Sequence, residues 1–280
     1  TPMSSYDPLP KAMRQPKPAT KHTQLAQQSV LDTLNWSDTR SFDDAKRGFI
    51  ASLDVPTILH SGGRHAAYDL TALSFLEGEA PATVNPSFWR QAQLNAQHHG
   101  LYEVAEGIYQ GRSFDIANMT LIRGERGWIV IDPLKSSESS GAALALANQQ
   151  LGERPVTAVI HTHSHADHFA GVLGVITVEQ AASGEVQVVA PLDFVDESLS
   201  DNVLAGNAMN RRATYMYGNL LEPSPTGFVS CGLGARLALG TTGFIVPNDT
   251  VKETGETRVI DGITFEFQMA MGTEAPSEFV

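Results

Sequence analysis

A single cysteine, Cys231, stands among the 280 residues. It has no intrachain partner, so no disulfide framework organises this chain, and the cysteine count leaves the compartment open. Basic residues are scarce as well: 19 Lys and Arg face 31 Asp and Glu, a net charge of −12. Nucleic-acid binding as the main function is excluded, because there is no basic field to hold phosphates. A small anionic substrate is not excluded, since a bound metal reverses the local field. No run of about 18 apolar residues occurs, so nothing reads as a transmembrane helix. Internal repeats are also lacking. The remainder is ordinary, with 42% hydrophobic and 18% charged residues, enough for one large domain or two small ones around a real core.

Residues 1–44 are polar and Pro-rich at their start and read as an extended N-terminal arm; 45–280 read as the folded domain. A short helix is expected at 41–51 and a strand at 56–61. A helix is expected at 85–100, with Ser87 as N-cap and Gly100 closing it. From residue 101 the pattern turns to period two. Strands are predicted in 101–112 and 118–134 with a tight turn at 123–127, then a Ser-capped helix at 136–152 and β-branched strands at 156–161 and 185–191. Residues 193–221 have helical spacing, as one helix or two, and 222–256 read as a long loop. Strand returns at 257–276 around an Asp261-Gly262 hairpin turn. Strand and helix alternate through 128–191, which points to α/β with helix-covered sheets.

Four of the nine histidines fall within "HTHSHADH", residues 161–168, directly after a predicted buried strand. In extended chain, residues two apart point the same way, so His163 and His165 can share one ion. Asp167 and His168 diverge, which suits a second, neighbouring ion. Imidazole and carboxylate suit zinc and, less selectively, iron or manganese. Burying such a cluster without a metal is expensive. His161 could join the face of His163, but a packing or supporting role fits it better.

"THSHADH" (162–168) resembles the signature of the metallo-β-lactamase superfamily, whose fold is a four-layer αββα sandwich. The strand ending in "VIDPL" (130–134) matches that superfamily's order. "TVNPSFWRQAQLN" (83–95), "GLYEVAEGIYQGRSFDIANMT" (100–120), "NRRATYMYGNLL" (210–221) and "MGTEAPSEF" (271–279) narrow the resemblance to the alkylsulfatases of the SDS-hydrolase type, over most of 45–280. The resemblance implies two Zn2+ ions per complete site and hydrolysis of an alkyl sulfate ester to alcohol and sulfate, with Asp167 and a zinc-bound hydroxide as the catalytic pair. It gives Glu274 the place of the third ligand beside His163 and His165, with Glu278 as a stand-in. Asp132 becomes a support rather than a ligand, although a plain strand-end turn residue fits it as well. Arg211, Arg212 and Tyr215 to Tyr217 either line the approach to the site, Arg212 and Tyr217 foremost, or form an ordinary helix surface. Cys231 reads as a small buried residue rather than a soft ligand. The loop 222–248 either shapes an apolar mouth for the alkyl tail or packs inward.

Five ligands do not complete two zinc sites. The resemblance implies a further glutamate and histidine downstream, so the chain is expected to be the N-terminal part of a longer protein. The rest of the sandwich, a helical dimerisation domain giving a homodimer, and a sterol-carrier-like domain would lie beyond it or on a companion fragment. Related enzymes are mostly exported, which gives a periplasmic or secreted location. Two other classes remain open on the histidine run alone. One is another hydrolase of this fold, a thioesterase of the glyoxalase II type or a lactonase. The other is a non-catalytic metal-binding module.

Overall fold

The computed structural model describes residues 16–280. Its centre is an eight-stranded sheet of β1 (Phe49–Ala51), β4 (Gly100–Ala105), β5 (Ile108–Arg112), β6 (Met119–Arg123), β7 (Trp128–Ile131), β8 (Val156–Ile160), β9 (Gln187–Pro191) and β10 (Asp249–Val251), in that order. Two hairpins stand apart from it: β2 (Thr57–Leu59) with β3 (Ala66–Asp69), and β11 (Thr257–Ile260) with β12 (Ile263–Glu266). From β1 to β7 neighbours are antiparallel, because short turns join most of them. From β7 to β10 they are parallel, which demands longer crossovers. The first crossover is α4 (Ser137–Leu151), with the Ser136 side chain accepting from Ser139 N and Gly152 closing the helix at φ 94°.

The parallel strands are buried on both faces, as their unbroken Val/Ile runs require. Trp128, Val130 and Val159 point to the α4 side, where they meet Ala143, Leu146 and Ala147. Ile129, Ala158 and Ile160 point the other way, to a second core with Val251, Ile260, Phe267 and Phe279. Each fully buried Val or Ile contributes about 1.5–3 kcal/mol relative to exposure. Of the expected four layers, the described residues supply the first helical layer, the first sheet, and a β11–β12 hairpin on its far face.

Several boundaries differ from the sequence reading. The 1–44 arm is not extended where it is described: α1 (Lys21–Thr33) occupies it, capped by Thr20, followed by α2 (Arg40–Ala45). Leu, Ala and Gln in "KHTQLAQQSVLDT" are good helix formers, and the helix forms without burying a residue. Residues 1–15 of that arm lie outside the described residues. The helix expected over 41–51 stops at Ala45, and β1 follows. In α3 (Pro86–Gln97) the cap is Asn85, not Ser87: Asn85 Oδ1 accepts from Ser87 N and Phe88 N. Pro86 takes the first helical turn, where its missing N–H costs nothing. Residues 194–217 are α7 (Phe194–Leu199), a π-helical turn (Ser200–Leu204) and α8 (Gly206–Tyr217). The long loop 222–256 contributes β10 at the sheet edge.

Candidate metal centre

The strand β8 ends at Ile160, and the histidine run leaves it at the carboxyl end of the sheet, where α/β proteins place their sites. Two short helices, α5 (Ala166–Phe169) and α6 (Val178–Ala182), precede β9. Beside the run, β7 ends in a turn with two left-handed residues, Asp132 (φ 55°) and Leu134 (φ 61°). Asp tolerates that conformation; Leu does not, at a cost of about 1–3 kcal/mol. The turn persists because its surroundings hold it: Leu134 is fully buried, and its carbonyl accepts from Gly171 N at 2.8 Å. Gly171 is needed there, since a Cβ would stand 2.2 Å from the Pro133 carbonyl.

Asp132 gathers the site. Its Oδ1 accepts from Thr162 N at 2.8 Å, and its Oδ2 accepts from Thr162 Oγ1 at 2.7 Å and from His168 Nδ1 at 2.9 Å. Thr162 has given its only hydroxyl hydrogen to Asp132, so at its 2.9 Å contact with His163 Nδ1 it accepts. Both rings therefore carry a hydrogen on Nδ1, and their Nε2 atoms are turned to the centre. His163 Nε2 is buried with no hydrogen-bond partner, a costly state for a polar atom unless it holds something. Asp132, with both oxygens engaged, is an orienting residue, although it lies close enough to His163 and His168 to form a geometric triad with them.

Glu274 completes a second triad. Its Oε1 lies 3.7 Å from His163 Nε2 and 3.7 Å from His165 Nδ1. These separations are too long for hydrogen bonds. They are near the roughly 3.3 Å edge of a tetrahedron built on metal bonds of about 2.0–2.1 Å. Glu278 is taken up by its own loop. Its Oε2 accepts from Thr273 Oγ1, Glu274 N and Ala275 N at 2.7, 2.8 and 3.1 Å. Burial works against its charge, yet these donors hold its carboxyl below the usual range. The segment then pairs with the histidine run itself: Phe279 N donates to Thr162 O and Ser164 N to Ser277 O.

Asp167 Oδ2 lies 3.4 Å from His168 Nε2. Burial opposes the Asp167 charge, but His168 and neighbouring donors keep its carboxyl low. Burial alone would lower His168; the carboxylates of Asp132 and Asp167 outweigh it and raise the ring to about 10. His163 is pushed down, by burial first and then by the charge of His168. The donors thus fit metal ions: a buried imidazole nitrogen without a partner, two rings oriented through Asp132 and Thr162, and an Asp167 carboxylate held low.

The remaining candidates lie elsewhere. His161 is fully buried, stacked on Phe194 with ring centroids 5.2 Å apart, and burial lowers it to about 4. Tyr217 is half-buried; burial raises its phenol, and the charge of Asp167 reaches it. Arg212 and Tyr215 point to solvent. Burial pushes the Cys231 thiol up to about 11, so it remains a protonated core residue. Around it Phe228, Val229, Ala235, Ala238 and Ile245 pack into the main core, so the 222–248 loop is mostly packed inward. Thr162 escaped the sequence reading, although it stands inside the motif. Lys135 and Asp115 escaped it too. Asp115 is buried, raised to about 6 by that burial, and accepts from the backbone N–H of Ile116, Lys135 and Ala238.

This strand-end cluster stands on a mixed sheet beside an Asp-anchored turn, with two groups of side chains that could hold metal ions. The description "Metallo-beta-lactamase superfamily" matches residues 112–271, and the chain belongs to that superfamily. Within it the chain is similar to alkylsulfatases. It is 47% identical to the "Linear primary-alkylsulfatase" of a Pseudomonas species over 94% of this chain and 39% of that protein. It is 45% identical to the "Alkyl/aryl-sulfatase BDS1" of Saccharomyces cerevisiae over 92% of this chain and 40% of that protein. The solved structure of the stereoselective inverting sec-alkylsulfatase Pisa1 from Pseudomonas sp. superposes with a TM-score of 0.90 at 39% identity. It covers 95% of this chain and 42% of its own. The chain therefore spans about 40% of the length of the curated relatives it matches.

Proposed function

We propose that this chain carries the first part of the active site of a zinc-dependent alkylsulfatase. The whole protein would hydrolyse the sulfate ester of a primary or secondary alkyl chain to an alcohol and inorganic sulfate. The observation that carries this is Glu274: a carboxylate stands 3.7 Å from both His163 Nε2 and His165 Nδ1. It does so in a chain 40–47% identical to proteins named alkylsulfatases.

His163, His165 and Glu274 would hold one zinc ion; Asp167 and the Nε2 of His168 would face a second. When bound, the ions supply Lewis acidity and offset the charge of the sulfate group. Asp132 and Thr162 engage the Nδ1 side of both rings and turn the Nε2 atoms to the centre, where a cation would take the place of the Nε2 proton on His168. Asp167 Oδ2 is an ionised acceptor at neutral pH at the centre of the site. The test is sulfate release from dodecyl sulfate by the full-length, zinc-loaded protein. Activity abolished by chelator and restored by zinc is expected. No sulfate release under those conditions would overturn the reading.

A further inference from the structure

The metal site leaves one buried acid unexplained. Asp115 stands in the loop between β5 and β6, only 1% exposed. Its Oδ1 accepts from Ile116 N at 2.8 Å and from Ala238 N at 2.9 Å, and its Oδ2 accepts from Lys135 N at 3.2 Å. Three stretches of chain thus meet on one carboxylate: the β5–β6 loop, the turn after β7, and the loop that follows α8. Burial raises the carboxyl to about 6 against the pull of those donors. Its ionised form therefore works against the folded state at pH 7. A gain in stability from the charge does not account for an acid at this place; the placement of its two oxygens does.

The Lys135 contact falls on a decisive peptide. Leu134 O and Lys135 N belong to the same planar unit, and that unit is held at both ends. Leu134 O accepts from Gly171 N at 2.8 Å, and Lys135 N donates to Asp115. Together the two bonds fix the rotation of the chain after Leu134, whose φ of 61° persists only under outside restraint. The Gly171 bond by itself would leave the peptide free to turn about its carbonyl. Asp132 belongs to the same turn, with Leu134 N donating to Asp132 O at 2.8 Å. The direction of the Asp132 carboxylate, which holds His168 and Thr162, therefore depends on a turn that Asp115 pins from outside. The loop after α8 braces the same place, because Lys135 Nζ donates to Ala238 O at 3.3 Å. Farther along that loop, Gly243 N donates to Ala170 O at 2.7 Å, directly behind the helix of Asp167 and His168.

We propose that Asp115 is a positioning residue of the metal centre. By pinning the Leu134–Lys135 peptide it sets the direction of Asp132, and through Asp132 the rings of His163 and His168. It acts at a distance, since its own partners are the main-chain N–H groups of Ile116, Lys135 and Ala238. All three lie within the described residues. The proposal rests on the reading that the histidine run and Glu274 hold zinc.

The test uses the full-length protein, with zinc affinity read by competition with a chromophoric chelator and the visible spectrum read on the cobalt-loaded form. Asp115→Asn keeps the size of the side chain. Its oxygen can still accept from Ile116 and Ala238, but its amide nitrogen cannot accept from Lys135. Zinc affinity should fall by about tenfold or more, and the cobalt bands should shift. Added to Asp132→Ala, the same change should cost no more than about a further twofold, because the two residues act on one path. A merely structural acid would add its full effect to that of Asp132→Ala. Hydrogen exchange of the wild type gives a reading that needs no variant to fold: the amides of Leu134 and Lys135 should exchange slowly. A folded Asp115→Asn variant that binds zinc like wild type would overturn the proposal, as would full additivity or fast exchange at those two amides. Wild-type protein that binds no zinc would overturn the metal reading itself, and the proposal with it, so the two failures are told apart.

Discussion

His168 Nδ1 lies 2.9 Å from Asp132 Oδ2, across 36 residues of sequence. The same carboxylate holds Thr162, and through it His163, so one acid sets the ring orientation of two candidate ligands. Asp132→Ala is expected to leave the ligand set intact and weaken zinc binding about 10–100-fold, measured by competition with a chromophoric chelator. Asp132→Asn should fall short of wild type too, since its amide nitrogen cannot accept from Thr162 or His168. Unchanged zinc affinity in the alanine variant would remove Asp132 from the site.

Glu274 and Glu278 are four residues apart and do different work. Glu274→Ala removes the carboxylate between His163 and His165. The zinc retained after dialysis should then fall by one ion per site, with melting of the metal-free protein unchanged. Retention of wild-type zinc content would show that Glu274 is only a solvated loop acid.

Glu278→Gln keeps every candidate ligand but disturbs the carboxylate that receives Thr273, Glu274 N and Ala275 N. The metal-free protein should lose about 1–3 kcal/mol, read by denaturant unfolding. Zinc affinity should also drop, though less than in Glu274→Ala. A Glu278 variant worse than the Glu274 variant in zinc binding, with unchanged stability, would reverse the two assignments.

Much of this candidate site was legible in the sequence, because most of its residues are neighbours in the chain. His163, His165, Asp167 and His168 lie within six residues after a strand, and period two alone separates the first pair from the second. Glu274 came only through family resemblance; nothing in "TEAPSE" announces a ligand until the tail pairs with the histidine run. The place of Thr162 was invisible, because it depends on the direction of one hydroxyl hydrogen. The helix α1 was hidden by the prolines before it, which set the tone of the whole arm. The misplaced cap of α3 has a simpler cause: two capping residues flank Pro86, and the proline requires the earlier one.

Asp261 was read as half of a hairpin turn, and it is that, at φ 45° before Gly262 at φ 84°. Its side chain does more. Only 1% exposed, it accepts from Arg126 Nε at 2.9 Å, Gly127 N at 2.9 Å and Thr157 Oγ1 at 3.0 Å, tying β11–β12 to the β6–β7 turn. Burial opposes its charge, but these donors hold its carboxyl below the usual value. A carboxyl lower in the folded state than its unfolded value of about 3.9 adds stability above that pH. The contribution is lost as pH falls through the folded value. Asp261→Asn keeps the turn conformation, which Asn tolerates, and exchanges the charge for an amide. The variant should melt lower at pH 7, by about 1–3 kcal/mol. The gap should close as melting is repeated at successively lower pH below about 4. A gap that stays constant down through that range would mean that the turn, not the charge, makes the difference.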